Sequence, residues 1–211
     1  MKKCLLFAMF DEAAHTIKEH QFKLIQKQPY EVYENDQFFL LISQIGLVNA
    51  GSALTWVDSN YEISEYINFG MVGCNSNVLN IKDILNIKNV YLGNVDATGF
   101  GYKMGQVPQM PAFYTLKGIK NEYNTANICS SDVFINGFDK YNSIVKPIEP
   151  NIELFDMELA GFAQAAFRLK KEINAIKIVS DILGSKSNEK QFLEVKEFSS
   201  NKISEIIKTL N

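Results

Sequence analysis

The sequence predicts an α/β fold in a single domain spanning residues 1–211. Two observations carry this. Short apolar runs rich in β-branched residues alternate with stretches of helical periodicity, and no linker or low-complexity tract breaks the alternation. A chain of 211 residues, 46% hydrophobic and 21% charged, is also of a size and balance that buries a substantial core.

Taken in order, Cys4–Met9 reads as the first strand. Lys2-Lys3 precede it, but the run is too short and Asp11-Glu12 follow too soon for a signal peptide. Ala13, Ala14, Ile17, Gln21, Leu24 and Ile25 then recur at helical spacing. Phe38–Ile45 is a second strand candidate, and Gly46 opens a helix that runs through Asp58. Tyr66–Phe69 is a third strand, followed by Gly70-Met71-Val72-Gly73 as a turn, and Asn89–Leu92 a fourth. Residues 93–118 concentrate Gly and Pro yet carry Phe100, Tyr102, Met104, Met110 and Phe113, which reads as an ordered loop or flap that packs on its own domain or on another subunit. Asn127–Ser130 and Ala175–Ser180 complete the strands. Met157–Leu169 forms a helix with Ala160, Ala163, Ala166 and Phe167 on one face, and Lys196–Leu210 closes the chain as another.

Composition excludes several classes of function. A net charge of -3 without a basic block leaves no footprint for a nucleic-acid backbone, and no apolar run approaches a membrane span. Three widely spaced cysteines, Cys4, Cys74 and Cys129, fit neither a disulfide framework nor paired zinc ligands, so a cytoplasmic protein without metal or cofactor is expected. A small neutral or zwitterionic ligand suits this chain better than a polyanion.

In an α/β sheet, ligands gather at the carboxyl ends of strands. The polar residues there are Glu12, Asn68 with the Gly70–Gly73 turn, Ser130-Ser131-Asp132, and Ser180-Asp181. Helix capping competes with chemistry at each. It outweighs catalysis for Ser131-Asp132, while for Ser180-Asp181 both readings stand. In Phe155-Asp156-Met157-Glu158-Leu159-Ala160-Gly161, a carboxylate at a helix start beside small residues can accept two hydroxyl hydrogen bonds. Capping covers Asp156 better than Glu158.

These segments resemble the methylthioadenosine/S-adenosylhomocysteine nucleosidases of the purine-nucleoside phosphorylase superfamily. The resemblance runs through Ala8-Met9 to Glu12, Gln44–Ala50, Ile67–Gly70, Asp96–Tyr102 with Gly105–Pro108, Ile128–Ile135, Met157-Glu158 and Val179–Asp181. It implies a nucleoside phosphorylase-like fold, a mixed twisted central sheet flanked by helices. It also implies hydrolysis of the N-glycosidic bond of an adenine nucleoside such as 5′-methylthioadenosine, S-adenosylhomocysteine or 5′-deoxyadenosine. On that resemblance Asp181 is the acid at purine N7, oriented by Ser180 and with a raised pKa, and Glu12 binds and deprotonates the attacking water. Phe134 stacks on the purine and the Ile135 backbone bonds its edge. Glu158 holds the ribose hydroxyls, with Met157 under the sugar. Met9, Ile45 and Phe192 line the pocket for the 5′ substituent, which Phe100 and Pro108 complete from a second subunit, so the partner expected is a second copy in a homodimer with shared active sites.

The same fold supports phosphorolysis, where arginines grip phosphate. Arg168 is the only arginine among 21 basic residues, which favours water as nucleophile. A phosphorylase, an aminodeoxyfutalosine nucleosidase and a weakly catalytic nucleoside-binding homologue are the alternatives. Departures from the family pattern are Met71 among the usual small residues, Gly93-Asn94 for His-Asp, Ser131 for glycine, Leu183-Gly184 for Ala-Asp, and Lys177 where relatives often have arginine near the water-binding acid.

Overall fold

Alternation along the first strand sets the layering. The computed structural model describes residues 1–149, 151–184 and 188–210, and of residues 188–193 the backbone alone. In β1 (Lys2–Phe7), Leu5 and Phe7 point into a core shared with α1 (Phe10–Glu19) and α5 (Asn188–Ile207), through Ala13, Val195 and Ile203. Cys4 and Leu6 point the other way, into a core shared with α2 (Leu47–Asn60) and α4 (Leu159–Leu169), through Ala50, Leu54, Phe162 and Ala166. Successive side chains leave a strand on opposite faces, so a continuous apolar run buries both and requires helices on each side.

The remaining strands are β2 (Lys23–Gln26), β3 (Glu31–Glu34), β4 (Phe38–Ile42), β5 (Ile63–Cys74), β6 (Ile84–Leu92), β7 (Tyr114–Thr115), β8 (Thr125–Ser130), β9 (Leu154–Asp156) and β10 (Ile173–Ile182), and a short helix, α3 (Phe138–Lys140), follows β8. They form one mixed sheet in the order β10-β6-β8-β9-β5-β1-β4-β3-β2, with β7 on β6. Because β10 also pairs with β5, the strands β5, β10, β6, β8 and β9 close into a ring, and β1, β4, β3 and β2 extend from it as an open sheet. The expected α/β class and mixed central sheet flanked by helices are therefore found.

Helices α2 and α4 cross on small residues. A Cβ on Gly161 would lie 2.3 Å from the Leu47 carbonyl oxygen, and one on Gly51 3.4 Å from the carbonyl of Gly161. This close approach matters because the N-terminus of α2 reaches the site.

Three sequence expectations are corrected. The first helix ends at Glu19, and Leu24 and Ile25, which continued its spacing, lie half-exposed in β2 after Gln21 turns the chain at φ 54°. Gly70–Gly73 is not a turn: β5 runs on to Cys74, and Asn68 is buried within it, donating to the Leu6 carbonyl at 3.0 Å. Glycine is needed at 73 because a Cβ would stand 2.1 Å from the Phe155 ring. Asp156 ends a strand, β9, that the helical reading of its surroundings concealed. Loop 93–118 folds partly onto its own chain, with Met110 buried and Phe113 against Tyr91 at 5.2 Å between ring centroids, while Phe100 is 86% exposed.

Gly161→Ala is expected to destabilise the protein by about 1–3 kcal/mol, because the backbone carbonyl it meets cannot rotate away. Urea denaturation reads this, and an unchanged midpoint with unchanged slope would show that the two helices separate freely.

Candidate active site

Strand β5 forks along one edge, and the fork opens a cavity. Its other edge is paired with β10 from Tyr66 to Cys74. On the forked edge β1 pairs as far as Asn68, and β9 takes over only at Gly73. Residues 69–72 thus lack a ladder partner there. A cavity of ≈ 240 Å³ lies at this gap, walled by Met71, Val72 and Gly73 of β5, Ala8 and Met9 after β1, Phe155 and Asp156 of β9, and Ser180 and Asp181 of β10.

A β-bulge brings Ser180 and Asp181 to the same wall. Val179 pairs with Val72 and Asp181 with Gly73, which leaves Ser180 as the extra residue and breaks the alternation that would send the two side chains to opposite faces. The Ser180 hydroxyl donates to Asp181 Oδ1 at 2.8 Å, and Asp181 Oδ2 accepts no hydrogen bond from the described residues. Burial pushes the Asp181 carboxyl above its ordinary value, against the opposing pull of Ser180. Both residues lie inside β10, not at a helix start, so the capping reading is overturned for this pair.

Glu12 sits in the first turn of α1, yet its carboxylate turns inward. Its Oε1 accepts the Met71 N–H at 3.1 Å, an amide on the forked stretch of β5. The side chain is buried, and burial raises its pKa while Met71 and the Lys177 ammonium oppose the rise.

Glu158 immediately precedes α4 and receives the Gly46 N–H at 3.2 Å from the entry to α2. Gly46 adopts φ 106°, and a Cβ there would lie 3.2 Å from Asp132 Oδ1. Asp132 in turn accepts the Leu47 N–H at 2.8 Å, so it serves the first turn of α2, a helix remote in sequence, where the capping reading of Ser131-Asp132 expected the helix that follows them. Burial first, and the Asp156 charge second, push Glu158 up to about 8, with Lys177 opposing. Asp156 accepts the Ser130 hydroxyl at 2.5 Å and the Leu159 N–H at 3.3 Å, and pairs with Lys177 Nζ at 2.8 Å. The capping role expected of Asp156 is present, but the buried cation is a second function that spacing did not reveal.

The cavity therefore gathers Met9, Glu12, Ile45, Phe134, Ile135, Met157, Glu158, Ser180 and Asp181 of the predicted residues. Met71, a departure from the family pattern, joins its wall. Phe100 and Pro108 are exposed and lie off it. The side chain of Phe192 lies outside what is described. Arg168 is exposed on α4 and lines no part of the cavity. Among the described residues no group of three His, Cys, Asp or Glu side chains is arranged to hold a metal ion, and no helix is long and apolar enough to cross a membrane.

These features define a class of nucleoside-processing α/β proteins, and a profile of the Phosphorylase superfamily matches residues 8–210. The chain is 33% identical over 161 residues to the 5′-methylthioadenosine/S-adenosylhomocysteine nucleosidase of Oceanobacillus iheyensis, which covers 71% of this chain and 70% of the relative. The crystal structure of the corresponding nucleosidase from Neisseria meningitidis, in complex with methylthio-immucillin-A, matches with a TM-score of 0.87 over 99% of each chain at 25% identity. That from Colwellia psychrerythraea, in complex with adenine, matches with a TM-score of 0.86 over 95% of this chain and 90% of that one at 27% identity. The chain belongs to the 5′-methylthioadenosine/S-adenosylhomocysteine nucleosidase family of that superfamily.

The raised pKa of Glu158 carries a pH signature. Between its ordinary value of 4.5 and about 8 the folded state holds a proton that the unfolded state has released, so this group lowers stability progressively as pH rises through that window. Glu158→Gln removes the loss. Its melting temperature relative to the parent protein is expected to increase from pH 5 to pH 8, and a constant difference across that range would refute the assignment.

Proposed function

We propose that this protein hydrolyses the N-glycosidic bond of 5′-methylthioadenosine, S-adenosylhomocysteine or a related adenine nucleoside, with Asp181 as the acid and Glu12 as the base. The observation that carries this is Asp181 itself: a buried carboxyl in the cavity wall, with Ser180 on one oxygen and the other unpartnered among the described residues. Such a group favours its neutral form and has a proton to give.

In this reading the purine lies against Phe134 and the backbone of Ile135, within reach of Asp181. Proton transfer from Asp181 to N7 lets the electron pair of the C1′–N9 bond leave with adenine, and the ribose develops oxocarbenium character. Glu158 accepts hydrogen bonds from the ribose hydroxyls, with Met157 beneath the sugar. Glu12 orients a water and takes its proton as the new C1′–O bond forms. Charge balances: Asp181 ends as a carboxylate and Glu12 protonated, and solvent resets both. Water is favoured over phosphate because a buried carboxylate repels an anion and the chain's arginine stands away from the cavity.

Phe100 and Pro108 bear on assembly. A large aromatic that is 86% exposed on an ordered loop is supported as a contact with a second copy, whose cavity it would complete around the 5′ substituent next to Met9 and Ile45.

Adenine release from 5′-methylthioadenosine, followed by chromatography with and without phosphate, tests the activity: equal rates are expected, and a requirement for phosphate would make it a phosphorylase. Asp181→Asn should lower turnover by about 10²–10⁴-fold, and near-normal turnover would remove Asp181 as the acid. The Glu12→Gln variant should bind nucleoside without cleaving it. Sedimentation at working concentration should give a dimer, and a monomer of full activity would remove the shared pocket.

A further inference from the structure

One ammonium group faces buried carboxylates from two segments remote in sequence, Glu12 in the first turn of α1 and Asp156 with Glu158 at the junction of β9 and α4. Lys177 lies on β10 with its side chain only 2% exposed, and its Nζ is 2.8 Å from Asp156 Oδ2. The same Nζ faces Glu12 across the bare backbone of Gly70: a Cβ there would stand 3.4 Å from Nζ and 3.5 Å from Glu12 Oε1. Asp156 is held as well by the Ser130 hydroxyl on Oδ1 and by the Leu159 N–H, which reaches both of its oxygens. The cation is thus fixed between the strand end that carries Asp156 and the helix turn that carries Glu12.

We propose that Lys177 is a positioning residue of the reaction described above: fixed in place by Asp156, its ammonium faces Glu12 and favours the carboxylate that a general base must be. The inference rests on the hydrolytic reading only for the role of Glu12. Lys177 and Asp156 act on both Glu12 and Glu158 with opposite sign, the cation lowering and the anion raising their affinity for protons. The other titratable groups nearby add little. Cys129 of β8, facing Asp156, is pushed up to about 12 by burial and stays neutral, and Asp181 on β10 responds to burial and to Ser180. The pair therefore balances two opposing fields. Removing either member should shift Glu12 in a direction set by the member that stays.

The acid limb of kcat/KM reports the base in the free enzyme. In Lys177→Met the Asp156 charge stays uncompensated, and the limb should move to higher pH. In Asp156→Asn the ammonium is left unpaired, and the limb should move to lower pH. An opposite charge at this range moves a carboxylate by about 1–3 pH units, so a shift of about one unit or more is expected in each. Lys177→Arg keeps the charge and should restore the parent limb. Titration of the Glu12 carboxyl by ¹³C NMR, its signal assigned by its loss in Glu12→Gln, reads the same shifts without turnover. An inactive parent protein would end the hydrolytic reading while the NMR titration still decides the role of Lys177. A pair that merely braces the fold predicts lower melting temperatures in both variants with the Glu12 titration unmoved, and that result would overturn the proposal. Should Lys177→Met not fold, Lys177→Gln and Asp156→Asn carry the same opposite signs.

Discussion

Strand β5 commits one edge to β10 and divides the other between β1 and β9, and this division organises everything around it. Where neither neighbour reaches, a backbone amide must find another partner, because an unpaired buried N–H is costly. The Met71 amide finds the Glu12 carboxylate, which draws an acidic side chain inward from the first turn of α1. The closure of β10 onto the far edge brings a bulge and two polar residues to the same gap. The cavity is thus the space left by a sheet that closes on itself at one side and stays open at the other.

Burial then differentiates the carboxyl groups the sheet has assembled. Asp181 has a hydroxyl on one oxygen and, among the described residues, no cation acting on it, so its neutral form is favoured. Burial raises the Glu12 carboxyl as well, but it faces an amide and Lys177, both of which oppose the rise. Glu158 stands between these cases, drawn toward its neutral form by burial and by Asp156. The proposed division into acid and base draws on this difference in partners, since the residue chemistry is nearly the same. The buried ion pair of Lys177 and Asp156 is a weak contributor to stability by its nature, since desolvation offsets attraction. Its place in the site is better accounted for by the charges it faces.

Much of the fold was legible from residue pattern. The strands β1, β4, β8 and β10, and helices α2 and α4, stand close to where periodicity placed them, because each buries a continuous apolar run or stripe. The misreadings share a cause. Leu24 and Ile25 kept the spacing of α1, yet the chain had already reversed at Gln21, and spacing does not encode a reversal set by one left-handed residue. Gly70 and Gly73 read as a turn because glycine usually marks one. Here each makes room for a neighbour distant in sequence, Gly70 for Glu12 and Lys177, Gly73 for Phe155.

The sequence by itself determined the fold class, the family, and the residue types of the site, since these depend on local runs and motifs that survive without coordinates. It also singled out Asp181, but left capping and chemistry equal there, because a polar residue at a strand end looks alike in both roles. Only the tertiary structure removed the capping reading, by placing Asp181 inside a bulged strand with one oxygen unpartnered among the described residues. It alone showed that Lys177, which the resemblance placed near the water-binding acid, is also paired with Asp156, because that contact exists only once the sheet has closed.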